Sequence, residues 1–118
     1  MDKSGLKKIL PEFLKTKIYV GISAGSMITA ENISLTYSNI LYYEEKEEPR
    51  NTKGLGFVDF EIRPHLNSKW FPKVNLPNLE KIAKETPNTF YAIDDNSAIK
   101  VVNNKISIIS EGKWKKFN

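Results

Sequence analysis

Residues Gly21-Ile22-Ser23-Ala24-Gly25 follow an apolar run, Ile18-Tyr19-Val20. A serine between two glycines, placed where an apolar strand turns sharply into a helix, is the pattern of a nucleophile elbow. Such a turn holds the hydroxyl off the backbone. It also sets the next amide, Ala24 N–H, where it can donate to an oxyanion. That is serine-hydrolase chemistry. The competing reading is a glycine-rich strand-to-helix turn in which Ser23 is only an N-cap.

A hydroxyl is a poor nucleophile until a neighbouring base takes its proton. His65 is the sole histidine, so it is the only candidate imidazole. It follows Pro64 at the C-terminal end of a predicted strand, where ligand sites of open α/β sheets gather. The competing reading is a surface-loop histidine. A third group should orient the imidazole, and no single carboxylate stands out. Glu44, Glu45, Glu47 and Glu48 lie in a charged stretch that reads as solvated. Asp59 and Glu61 share one face of the strand ahead of His65. Asp94-Asp95-Asn96 reads as a turn rather than a site. Trp70-Phe71-Pro72 fits either a lid or core packing.

The elements that must position these groups alternate between strand and helix. Leu6, Ile9, Leu10, Phe13 and Leu14 fall at helical spacing, with Ser4 as N-cap and Pro11 bending the helix. Residues 17–22 read as a fully buried strand, 24–31 as a short helix, 33–43 as β-leaning and 57–62 as an alternating strand. A helix is predicted over 76–85, with Pro77 in its first turn and Pro87 beyond its end. Residues 89–93 read as a strand. A hairpin over 98–102 and 105–109 turns at Asn103-Asn104, a pair that tolerates positive φ. A short strand with Trp114 and Phe117 closes the chain. This order predicts one domain over residues 1–118, of α/β class, with the hairpin adding antiparallel strands at one sheet edge.

Composition narrows the function classes. The chain has 118 residues, 40% hydrophobic and 27% charged, an ordinary globular balance. The net charge of +4 is scattered, and Arg50 and Arg63 are the only arginines. Nucleic-acid binding calls for a clustered basic stripe, so no nucleic-acid partner is expected. The chain has no cysteine, which removes disulfides and thiolate chemistry and suits a cytoplasmic location. The first residues lack the apolar core of a signal peptide. No apolar run approaches the ~18 residues of a membrane span, so no membrane partner is expected.

Taken together, these stretches resemble peptidase E, the α-aspartyl dipeptidases of the S51 serine peptidases, which also include cyanophycinases. The resemblance rests on Tyr19-Val20-Gly21-Ile22-Ser23-Ala24-Gly25-Ser26, Gly54-Leu55-Gly56-Phe57-Val58-Asp59-Phe60 and Arg63-Pro64-His65. Tyr91-Ala92-Ile93-Asp94-Asp95-Asn96-Ser97-Ala98 and Ile109-Ser110-Glu111-Gly112 continue it. It implies a partial three-layer sheet like that of class I glutamine amidotransferases and peptidase E. It also implies no cofactor or metal, and a small Asp-containing peptide as substrate. The nucleophile carries over to Ser23, the base to His65 and an oxyanion donor to Ala24. The family acid follows the elbow by roughly fifteen to twenty residues, where this chain has Ser38 and Asn39. Glu44 is the nearest carboxylate and the expected third member, with a Ser-His dyad as the alternative.

Family members are roughly twice this length. Their N-terminal half supplies central parallel strands and a Gly-rich loop that completes the oxyanion hole. The chain therefore corresponds to the C-terminal half of the fold, with Ile18, Val20 and Ile22 at a sheet edge that lacks neighbours. Such an edge is an association template. The expected partner is a second copy of the chain or a separate N-terminal half. A catalytically weak truncated homologue, acting as an oligomeric or partner-binding module, is the alternative to a working peptidase.

Overall fold

The computed structural model describes residues 6–15, 17–42 and 51–118. Two short, fully buried strands form its centre. β3 (Glu61–Arg63) runs parallel to β4 (Phe90–Ile93), with Glu61 opposite Phe90 and Arg63 opposite Ala92. A parallel pair needs a crossover, and α4 (Leu76–Glu85) supplies it. Asn75 caps this helix by accepting from Asn78 N–H, Pro77 occupies its first turn, and Leu79 and Ile82 are buried. β7 (Trp114–Phe117) adds to the other side of β4, antiparallel.

Alternation along β4 divides the core in two. Phe90 and Ala92 face α4 and join Leu41, Leu66, Val74, Leu79, Ile82 and Phe117. Tyr91 and Ile93 face the opposite way with Phe60 and Ile62. That second face is covered by Ile99 and Ile108 from the hairpin of β5 (Ser97–Val102) and β6 (Lys105–Ser110). Asn103 and Asn104 take φ of 50° and 63° in its two-residue turn, as anticipated. The hairpin is a separate two-stranded sheet rather than an extension of the central one. The antiparallel edge strand is β7.

The earlier part of the chain departs more from expectation. α1 (Leu6–Phe13) contains Pro11. Residues 17–22 belong to no strand. Tyr19 turns inward, its ring edge-on to Phe57 and its hydroxyl donating to the Gly25 carbonyl at 2.7 Å. The alternate side chains Ile18, Val20 and Ile22 are 91%, 77% and 81% exposed. The expectation of a fully buried strand fails because only one face of the segment meets the chain's own body.

After α2 (Ala24–Met27), β1 (Asn32–Ser34) pairs antiparallel with β2 (Asn51–Lys53). Of the β-leaning stretch expected over 33–43, residues 33 and 34 lie in β1, whereas α3 (Leu35–Tyr42) replaces strand over 35–42. Tyr37, Ser38, Leu41 and Tyr42 recur at three- and four-residue spacing and turn toward the core. Burial of that face outweighs the β propensity of the threonine, tyrosines and isoleucine. Residues 57–60 likewise precede the strand instead of forming it. Phe57 N–H and Val58 N–H both bond the Thr29 carbonyl, so this stretch follows the chain after α2. Among the described residues, no helix is long and apolar enough to cross a membrane.

Candidate active site

The elbow is built by close backbone approach. A Cβ on Gly21 would run into the Gly25 carbonyl, so only glycine fits there. Gly25 N–H bonds the Ile22 carbonyl at 2.9 Å, and Ser26 N–H and Oγ both bond the Ser23 carbonyl. Ser23 sits at the apex with φ 53° and ψ −119°, a conformation that L-residues seldom take. Its side chain makes no capping bond to α2. Instead, Ser23 Oγ lies 2.9 Å from His65 Nε2. Ser23 occupies the N-cap position of α2, but its hydroxyl is turned to His65 rather than to the helix. Ala24 opens α2, and its N–H precedes the first amide bonded within the turn, that of Gly25.

His65 leaves the C-terminal end of β3 through Pro64, with φ 67°. Tyr42 Oη donates to the Pro64 carbonyl at 2.9 Å. The Phe71 ring stacks on the imidazole, centroids 4.5 Å apart and planes 20° apart. On the far side of the imidazole, Nδ1 lies 2.7 Å from Asp95 Oδ1. A carboxylate only accepts hydrogen bonds, so Nδ1 carries the proton. Nε2 then presents a lone pair to the Ser23 hydroxyl, the tautomer a general base needs. Asp95 is more than half exposed, so the pair adds little to stability. What it contributes is orientation.

Asp95 is the residue that sequence reasoning placed in a turn. The turn is real. Asp94 Oδ1 accepts from Asn96 N–H at 3.0 Å and from Ser97 Oγ at 2.6 Å, and Asp94 Oδ2 accepts from Lys113 N–H at 2.5 Å. Burial raises the Asp94 pKa, but the bonds from Ser97, Lys113 and Asn96 and the Lys113 charge outweigh it. The carboxyl is held below the usual aspartate range. Asp94 thus shapes the turn, and its neighbour is carried toward His65. The available signal was that both predicted strands, 57–62 and 89–93, end beside a candidate group. Parallel pairing of those strands brings the two ends together.

The other candidates lie elsewhere. Glu44 is outside the described residues. Arg63 is buried, 3.4 Å from Glu61 Oε2 and donating to Ser38 Oγ at 2.8 Å. Glu61 Oε1 in turn accepts from Ser34 N–H at 2.6 Å. Arg63 and Glu61 therefore tie β3 to β1 and α3 and do not face the elbow. Lys69 lies over the exposed Trp70 ring, 4.9 Å from its centre. A cavity of about 140 Å³, lined by Ala30, Glu31, Asp59 and Thr89 among others, shares no residue with the Ser23–His65–Asp95 line. Among the described residues, no group of three or more His, Asp or Glu side chains is gathered to hold a metal ion.

Comparison with known proteins identifies the family of the chain. The model of peptidase family S51 matches residues 1–109. An uncharacterised peptidase of Pasteurella multocida is 31% identical over 92% of this chain and 51% of its own length. One from Listeria monocytogenes is 32% identical over 79% of this chain and 44% of its own length. The crystal structure of a candidate peptidase E protein from Listeria monocytogenes superposes with a TM-score of 0.67 at 27% identity. The match covers 94% of this chain and 52% of that one. The chain spans about half the length of the curated relatives it matches.

Proposed function

Because the chain belongs to peptidase family S51, we propose that it carries the nucleophile, base and acid of a serine-type peptidase acting on small Asp-containing peptides. Ser23 Oγ attacks the substrate carbonyl while His65 Nε2 takes its proton, and His65 later returns that proton to the leaving amine. Asp95 holds the imidazole in the required tautomer and faces the positive charge that forms on it. Ala24 N–H donates to the developing oxyanion. The observation that carries this reading is the unbroken line from Ser23 Oγ through the imidazole to Asp95, with both hydrogen bonds under 3 Å.

The preference for aspartate rests on the family resemblance, since Arg63 is occupied in the interior. A fluorophosphonate probe tests the chemistry. Labelling of the chain that disappears in Ser23→Ala supports a live nucleophile, and absence of labelling overturns it. Hydrolysis of Asp-containing dipeptides but not of simple esters supports the substrate class. The absence of cysteine favours a cytoplasmic setting.

The exposed row Ile18, Val20 and Ile22 supports an assembled protein. In this reading the row is covered by polypeptide that completes the three-layer fold, as the greater length of the relatives suggests. The same row favours the second reading, a weakly active module whose role is association. Light scattering on the purified chain separates the cases. A stable 13.5 kDa monomer overturns association, and a defined dimer identifies a second copy as the cover.

A further inference from the structure

We infer that Phe71 is a positioning residue for the reaction, holding the plane of the His65 imidazole and facing the charge it acquires. The inference rests on the reading of Ser23 and His65 as nucleophile and base.

Phe71 is returned to His65 by a closed loop. Leu66 and Val74, both buried, anchor its ends, and Asn67 N–H bonds the Val74 carbonyl at 2.9 Å. Within it, Ser68 N–H bonds the His65 carbonyl, Phe71 N–H the Ser68 carbonyl, and Val74 N–H the Phe71 carbonyl. These bonds leave Phe71 little choice of direction. Its ring lies nearly parallel to the imidazole at 4.5 Å, within the range of favourable aromatic pairs. Tyr42 closes the stack from behind, edge-on to Phe71 at 5.7 Å, while its hydroxyl pins the carbonyl that precedes His65.

The N–H and the lone pair of an imidazole lie in its ring plane, so hydrogen bonds through them do little to resist tilting of the ring out of that plane. A ring stacked on one face does resist it. The side chain of His65 is 21% exposed, which leaves room for other rotamers if the stack is lost. When His65 takes the proton of Ser23 it becomes a cation against the face of a π-system, a favourable contact in a partly dry site. Phe71 therefore favours the protonated intermediate as well as the aligned ground state.

The test uses the fact that His65 is the only histidine. Its ring protons give one resolvable pair of NMR signals, which the Phe71 ring current should shift upfield relative to the urea-unfolded chain. Phe71→Leu should remove that shift. It should also slow fluorophosphonate labelling of Ser23 by about three- to tenfold, from the typical strength of an aromatic pair. Phe71→Trp should restore both. Leucine keeps an apolar plug, so a merely structural role predicts wild-type labelling in Phe71→Leu, and that result overturns the inference. An imidazole signal with no upfield shift in the wild-type chain overturns it without any variant. A wild-type chain that never labels overturns the peptidase reading and this inference together.

Discussion

Asp94 is pressed against Gly112. A Cβ on Gly112 would run into the Asp94 carboxylate, whose Oδ2 accepts from the adjacent Lys113 N–H. This contact ties the turn that carries Asp95 to the strand that follows the hairpin. Gly112→Ala should displace the carboxylate and loosen that turn. We expect about 1–3 kcal/mol of lost stability, the scale of a broken hydrogen bond to a charged group. Labelling of Ser23 should slow as well. Urea unfolding and labelling rates check the two effects together.

The hydrogen bonds that hold the Asp94 pKa below the usual range make it a source of pH-dependent stability. A depressed folded-state pKa stabilises the fold above the unfolded value, about 4. That contribution is lost as pH falls through the folded value. Thermal unfolding should therefore separate wild type from Asp94→Asn at neutral pH. The gap should close below about pH 4. A constant gap from pH 7 to pH 3 would count against this role.

Asp95 and Glu44 compete for the place of the third group. Asp95→Asn keeps the size of the side chain but no longer requires the Nδ1–H tautomer. Activity should fall by about 10²-fold or more, with stability changed by less than about 1 kcal/mol because the pair is exposed. Glu44→Gln should leave activity at the wild-type level. Matched kcat/KM measurements on the two variants decide between them.

Ser23 is held in a backbone conformation that glycine takes more readily. Ser23→Ala and Ser23→Gly should both abolish labelling. Ser23→Gly should in addition unfold later than Ser23→Ala, by about 1 kcal/mol of relieved strain. Equal melting of the two would argue that the elbow is relaxed.

Arg63 lies two residues before His65, where a cation for a substrate carboxylate would be sought. The buried bonds to Glu61 and Ser38 assign it to the framework instead. Arg63→Ala should cost about 3–5 kcal/mol by leaving Glu61 buried and unpaired. Arg63→Met leaves Glu61 equally unpaired, so it should cost nearly as much and spare only the lost packing. The ratio of activity on Asp- and Ala-containing dipeptides should be unchanged in any variant that folds.

Sequence patterns were most legible where a short stretch decides its own conformation. The helix capped by Asn75, the hairpin turn at Asn103-Asn104 and the sharp turn at Gly21 each depend on neighbours a few residues away. The segments at 17–22 and 35–42 were misread for the opposite reason. Their apolar residues satisfy more than one pattern, and packing selects among them. Tyr19 met Phe57, so the alternate face of 17–22 turned outward. Leu41 and Ser38 met the core, so a β-leaning stretch became α3.

The same division runs through the site. Residue types and local turns by themselves singled out the candidate nucleophile, its amide neighbour and the sole imidazole, because a serine elbow is a short-range steric object and a single histidine leaves no choice. The candidate third group, Asp95, emerged only from tertiary structure. His65 and Asp95 meet because β3 and β4 pair in parallel, Arg63 opposite Ala92, so both strands release their next residues at the same edge of the sheet. Strand pairing across α4 is a long-range choice made by the burial of Leu79, Ile82, Phe90 and Ala92. No local pattern around Asp95 records it.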